Sequence, residues 1–338
     1  MKLGDLSVGY LYSLQAVLRG LGHDPAPLFQ RFRISDELLA TPGARISIPR
    51  FMRLGNAAIG LSQRADIGLL MGSQSQASHL GLPGVTAQCA PDLNRAFETL
   101  VHFERLTSMN YRGHSSFESP ALRFYSISPY NAFNLFVVDS ALASRAQLAR
   151  QLSGGQARLR EVHIEFPAPA YAERYEALFN CPVLFEQAHN QLLWEPASLT
   201  QPLLHNAPST YAQLRALCEA QLHEQTRHRR LRERVEEILS PRLHSQLPGI
   251  TEVARQLGLP SWTLRRRLQI EDGTRFQDII DETRRDLALS YIRDTELALG
   301  EVAFLLGFSS PAAFQRAFKR WAGQAPGQFR REQRVVRG

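Results

Sequence analysis

Glu301-Val302-Ala303-Phe304-Leu305-Leu306-Gly307-Phe308-Ser309-Ser310 decides the fold, because a copy, Glu252-Val253-Ala254 followed by Leu257-Gly258-Leu259, stands forty-nine residues earlier. The same offset carries Ser261 onto Ser310 and Arg267 onto Arg316. One supersecondary unit therefore occurs twice. In each copy Val and Ala face inward, and the small Ala lets a second helix cross closely. The Gly after Leu takes the left-handed conformation that ends the first helix and turns the chain. A second helix follows each turn, apolar inside and basic or polar outside: Ser261 to Leu268, and Ser310 to Arg320. Ser310 as N-cap with Pro311 in the first turn is a helix start signal. This predicts helix-turn-helix units at about 250–270 and 299–320, and either second helix suits a DNA major groove.

Between the units, Thr274 and Gln277 have capping-box spacing, and Phe276, Ile279, Ile280, Thr283, Leu287 and Tyr291 make an inward stripe. A helix from Phe276 to Tyr291 spans about 24 Å. Such a rod can hold two recognition helices so that they reach successive grooves, about 34 Å apart. Charge agrees. Residues 1–226 hold 18 Lys+Arg and 18 Asp+Glu, while 227–338 hold 21 and 14, so the whole net charge of +7 lies in the C-terminal part. A neutral body with a basic end suits a phosphate-binding module; a solvated helical face gives the same count.

The 338 residues, 44% of them hydrophobic, suffice for two or three packed domains. From about Tyr10 to Leu106 the body reads as helices. Strands are predicted at Leu122–Ile127, Glu161–Phe166, Val183–Phe185 and Leu192–Trp194, with a short helix from Tyr171 to Phe179. The expected fold is an α+β N-terminal sensor domain with a small antiparallel sheet, then an all-α C-terminal domain whose two units share a long linker helix. After Pro202 and Pro208, Ser209 can cap a helix whose stripe, Leu214, Leu217, Cys218 and Leu222, packs either on its own domain or on a second copy. Cys89, Cys181 and Cys218 are odd in number and far apart, which indicates neither a disulfide framework nor a zinc finger. With no signal peptide and no membrane-length apolar run, the expected compartment is the cytoplasm.

The stretch from about Arg229 to Arg331 resembles the AraC/XylS family of bacterial transcription regulators. The residues that carry the resemblance are Leu257-Gly258-Leu259, Gly273-Thr274 with Phe276, the 301–310 decapeptide, Phe314-Gln315-Arg316-Ala317-Phe318-Lys319-Arg320-Trp321, Gly323, Pro326 and Phe329-Arg330. Leu21-Gly22-His23-Asp24-Pro25, Ile67-Gly68-Leu69, Pro167-Ala168-Pro169 and Tyr175 to Phe185 are similar to the ornithine-utilisation-regulator branch of that family. The resemblance implies an effector-responsive regulator, more an activator than a repressor, of a metabolic or catabolic operon. It implies a homodimer that binds double-stranded DNA, a small-molecule effector and RNA polymerase, with no catalytic role, cofactor or metal. Residues 1–226 would sense and dimerise, and 227–338 would bind DNA. The implied DNA contacts are Trp262, Arg265, Arg266 and Gln269 from the first unit and Gln315, Arg316, Lys319 and Arg320 from the second. Two departures stand out. Pro260 replaces the family's usual capping Ser, so that either Ser261 caps one position later or Pro alone starts the helix. Pro311 and Ala312 replace amides, which leaves sharper base reading to the first helix.

Other constellations fail on spacing or company. Leu152-Ser153-Gly154-Gly155-Gln156 copies the ATP-binding-cassette signature, but Lys2 and Lys319 are the chain's lysines and neither follows a phosphate loop; a helix ending at Leu152 with a glycine cap explains it. His223 and His228 are five apart, about 140° around a helix, and cannot share one metal there. His102 and His114 are candidates for an effector pocket or, more often, ordinary core or surface histidines. Two rival functions remain from the sequence: a small-molecule enzyme within 1–226 fused to a DNA-binding domain, and an effector-free architectural DNA-binding protein.

Overall fold

The computed structural model describes residues 4–110, 114–126, 132–227, 230–243, 247–295 and 297–335. It divides into two compact units at Glu224 and Gln225. Each is α-helix-rich, but only the first contains sheets.

In the first unit, β1 (Gly4–Ser7) pairs antiparallel with both β2 (Arg45–Ser47) and β3 (Ser108–Asn110). This small sheet was not expected from the sequence. A second, five-stranded sheet comprises β4 (Ser116–Glu118), β5 (Ala121–Phe124), β6 (Leu159–His163), β7 (Val183–Leu184) and β8 (Asn190–Trp194), in the order β4-β5-β8-β6-β7. All its pairings are antiparallel except β6 with β7, which corrects the all-antiparallel expectation. The β6–β7 connection carries the helix Glu173–Phe179 and brings the chain back in the same direction. Strand ends also differ from the expectation. β5 stops at Phe124, and the forecast Ile127 lies outside the described residues; β6 begins at Leu159 and stops at His163.

The helix Ala132–Leu152 serves two apolar cores, Phe136 in the N-terminal one and Val138 and Leu142 in the one behind the larger sheet. It ends at Leu152 as the glycine reading requires, and the carbonyl of Arg150 accepts from Gly155 N at 2.7 Å. Asp139, on this helix, is fully buried and accepts from Tyr171 Oη at 2.8 Å and from Tyr175 Oη. Burial pushes its carboxyl up to about 7, against the two hydroxyls that favour the charged form.

The helix Pro208–Arg227 begins at Pro208, so Ser209 is not its cap. It packs on its own unit: Cys218 is buried 3.4 Å from Thr86 Oγ1, Tyr211 Oη lies 2.8 Å from Thr99 Oγ1, and Glu219 lies 3.0 Å from His102 Nε2, while Leu217 points outward. His102 is thus a surface histidine; His114 lines a cavity beside Tyr125. His228 lies outside the described residues.

The second unit is helical throughout. Leu231, Val235 and Leu239 from its first helix, Leu231–Leu239, bury against Val253, Ala254, Leu264, Leu268, Ile279 and Ile280. The linker helix runs Phe276–Asp294, and its 19 residues reach about 28 Å. Every residue of its forecast stripe from Ile279 to Tyr291 is buried. Its cap differs from the forecast: Arg275 is the N-cap residue, and Asp278 Oδ2 accepts from its backbone N at 3.1 Å in place of the Thr274–Gln277 pair. A carboxylate there also meets the positive end of the helix dipole.

Candidate nucleic-acid interface

The first hairpin joins Ile250–Gln256 to the recognition helix Ser261–Glu271, and the second joins Leu299–Leu305 to the recognition helix Pro311–Ala322. Their turns share three equivalent bonds. In the first, Leu257 N donates to Val253 O at 3.1 Å, Gly258 N to Arg255 O at 3.1 Å and Leu259 N to Ala254 O at 2.9 Å. In the second, Leu306 N donates to Val302 O at 3.1 Å, Gly307 N to Phe304 O at 2.9 Å and Phe308 N to Ala303 O at 3.0 Å. Gly258 at φ +69° and Gly307 at φ +70° take the left-handed step.

Beyond the turn the copies part by one residue. Pro260 is the N-cap residue two positions after Gly258, and Ser310 three positions after Gly307. Ser310 Oγ accepts from Ala313 N at 3.2 Å, a true side-chain cap. Ser261 is the first helical residue and caps nothing; extended Pro260 starts the helix. The inserted residue moves the correspondence to fifty: buried Leu264 and Leu268 match buried Phe314 and Phe318. Ser261 therefore corresponds to Pro311 and Arg267 to Ala317, not to Ser310 and Arg316 as the letters suggested.

In this register the outward positions line up. Trp262, Arg265, Arg266 and Gln269 fall at i, i+3, i+4 and i+7 on one exposed stripe, and their counterparts are Ala312, Gln315, Arg316 and Lys319. Arg320 extends the second stripe at the place of Ile270, which is 69% exposed and was missed by the sequence reading although it lies eight residues after Trp262. Among the described residues, none of Trp262, Arg265, Arg266, Gln269, Gln315, Arg316, Lys319 and Arg320 makes a side-chain hydrogen bond or ion pair. Arg267, off this stripe, is occupied instead, with Nε 2.6 Å from Glu271 Oε1. Free guanidinium and ammonium groups can bind phosphate or base edges without first breaking an internal pair.

The second recognition helix is held by aromatic packing. Phe314 meets Phe308 at 5.5 Å and Phe318 at 5.7 Å between ring centroids, and Phe318 meets Phe329 at 5.5 Å. Arg284 of the linker helix lies over Phe308, 5.8 Å from the ring, and its Nε donates to Leu306 O at 3.1 Å. That bond satisfies a carbonyl at the end of Leu299–Leu305 and ties the second turn to the rod. Among the described residues, no group of three or more His, Cys, Asp or Glu could hold a metal, and no helix is long and apolar enough to cross a membrane.

Several known proteins are similar to this chain. A helix-turn-helix domain model matches residues 253–332. The chain is 29% identical over 325 residues to the ornithine utilization regulator of Pseudomonas aeruginosa, covering 96% of this chain and 95% of that protein. It is 27% identical over 336 residues to the HTH-type transcriptional regulator VirS of Mycobacterium tuberculosis, covering 98% of each. The crystal structure of the transcriptional regulator CdpR from Pseudomonas aeruginosa aligns with a TM-score of 0.42 at 23% identity, over 90% of this chain and 96% of that one. The model of the N-terminal arabinose-binding domain of AraC transcription regulators matches residues 22–203, more than half of the sequence, and the chain belongs to the AraC family of transcription regulators.

Proposed function

We propose that this AraC-family regulator binds specific double-stranded DNA through both recognition helices and changes that binding when residues 1–226 take up a small-molecule effector. The observation that carries the reading is the pair of outward stripes, eight side chains with no partner among the described residues, on two helix-turn-helix units joined by one continuous helix. The first helix reads bases. Arg265 and Arg266 can each fork onto guanine O6 and N7, and Trp262 and Gln269 flank them. The second anchors: Lys319 and Arg320 neutralise phosphate, while Gln315 and Arg316 face the groove.

In this reading the protein is a cytoplasmic homodimer, a binding protein rather than an enzyme, that activates a metabolic or catabolic operon through contact with RNA polymerase. Residues 1–226 supply the dimer contact, and 227–338 bind DNA as a monomer. The test uses DNA selected by retention on the full chain, with a scrambled sequence as control. Arg265→Ala is expected to lose about 1–3 kcal/mol on the selected site and little on the control. Equal loss on both would make Arg265 a phosphate contact. Sedimentation of the two parts checks the dimer assignment, which is wrong if 227–338 dimerises and 1–226 does not.

A further inference from the structure

The first unit contains a cavity, partly open to solvent, with about 510 Å³ of empty space when that open part is included; its walls are chiefly apolar, with Leu6, Phe51, Met71 and Val137 among them. Two neighbouring cavities share Glu104 with it. Its polar side is built. Arg145 Nη1 donates to Ala141 O at 3.0 Å, and Nη2 to Ser115 Oγ at 2.6 Å and to Glu104 Oε1 at 3.4 Å, while the guanidinium lies 4.9 Å from the centre of the Phe124 ring. Glu104 Oε2 in turn accepts from Ser115 N at 2.8 Å. The guanidinium is thus held in place, and its Nε–H has no partner among the described residues. Next to it in sequence, Ser144 is only 6% exposed, lines the cavity, and its hydroxyl has no partner among the described residues. A hydroxyl with no partner among the described residues that opens onto such a volume is placed for something that enters it.

We propose that this cavity is the effector site and takes an electrically neutral small molecule, apolar over most of its surface, with one hydrogen-bonding head that meets Ser144 and Arg145. The proposal rests on the effector-responsive reading above and gives it a place and a ligand class. Charge selects the class. Among the described residues, the charged side chains lining the cavity are Glu104 and Arg145, and they balance each other. A carboxylate ligand would leave one uncompensated negative charge in a partly desolvated site, and an amine one positive charge. A neutral acceptor keeps the balance and uses the free hydroxyl and Nε–H.

The test uses the full chain and three probes with the same tail: octanamide, octanoate and octylammonium, titrated by calorimetry. Octanamide is expected to bind about tenfold more tightly than either ion. Ala141→Phe, which fills the cavity wall, is expected to abolish octanamide binding. Glu104→Gln keeps the shape but removes the negative charge, and is expected to reverse the order so that octanoate binds best. This second variant reads out by a gain, which a misfolded protein cannot give. Octanoate binding better than octanamide to the unmodified chain, or Ala141→Phe binding octanamide unchanged, overturns the site. Operator affinity is measured alongside: probes that bind in the expected order without moving it support the site and count against effector coupling instead.

Discussion

Gly258 and Gly307 stand at equivalent turns with nearly equal φ, yet replacing each by alanine is expected to have unequal effects. A Cβ added at Gly258 meets nothing within 4 Å, so Gly258→Ala carries only the left-handed penalty of about 1–2 kcal/mol, less a few tenths for the stiffer unfolded chain. A Cβ at Gly307 would lie 2.0 Å from Leu243 O and 3.1 Å from Leu243 C. Both are backbone atoms, and no rotamer change relieves them. Leu243 is 1% exposed, so its carbonyl must move by roughly 1 Å inside packed surroundings, which adds about 1–3 kcal/mol. Gly258→Ala should therefore lose about 1 kcal/mol, and Gly307→Ala about 3 kcal/mol or more. Hydrogen exchange in increasing urea, read by mass spectrometry on peptides of the second unit, separates this loss from events in the first. Equal protection losses in the two variants would refute the close approach of Leu243 to the second turn.

Capping gives a second contrast: Ser310→Ala should lose about 1 kcal/mol by urea unfolding of the second unit, whereas Ser261→Ala should be near neutral. Lys319→Ala is expected to weaken binding to every DNA and to lower the salt slope by about 1, while Arg316→Ala should weaken the selected site more than scrambled DNA, both read by salt titration. Asp139 sets a pH dependence. Its folded carboxyl, near 7, lies above the unfolded value of 3.8, so the folded state holds the extra proton between the two and stability falls as pH rises through that window. Asp139→Asn should remove that fall, at most about 4 kcal/mol between pH 4 and 8, in thermal melts of the first unit.

The DNA-binding unit was legible because its signals are local. A Val-Ala pair, a Leu-Gly turn and an apolar stripe each constrain neighbours within a few residues, and every one sits where the spacing puts it. The one-residue insertion escaped because Ser261 and Ser310, and Arg267 and Arg316, match as letters while differing in role: Ser310 caps its helix and Ser261 does not, and Arg267 pairs with Glu271 whereas Arg316 lies on the outward stripe. In the first unit the legible parts were helices and long strands. β1 escaped since Gly4-Asp5-Leu6-Ser7 has no pattern of its own and is fixed by partners near residues 46 and 109. The cavity escaped for the same reason: Glu104, Ser115 and Arg145 share no motif and meet only through the fold.

The unequal turns bear on any attempt to re-engineer specificity by exchanging the two recognition helices. A graft aligned on the letters, forty-nine apart, would seat each helix one position out of phase. One position is about 100° of rotation, enough to turn Leu264 toward solvent and Arg265 toward the core. A chimera must instead be spliced at Pro260 and Ser310, each incoming helix bringing its own starting residue. Aligned that way, the aromatic seat of Phe314 and Phe318 would still have to accept the smaller Leu264 and Leu268. The two heads are interchangeable in geometry but not in volume, so each must be re-specified by altering its own outer stripe.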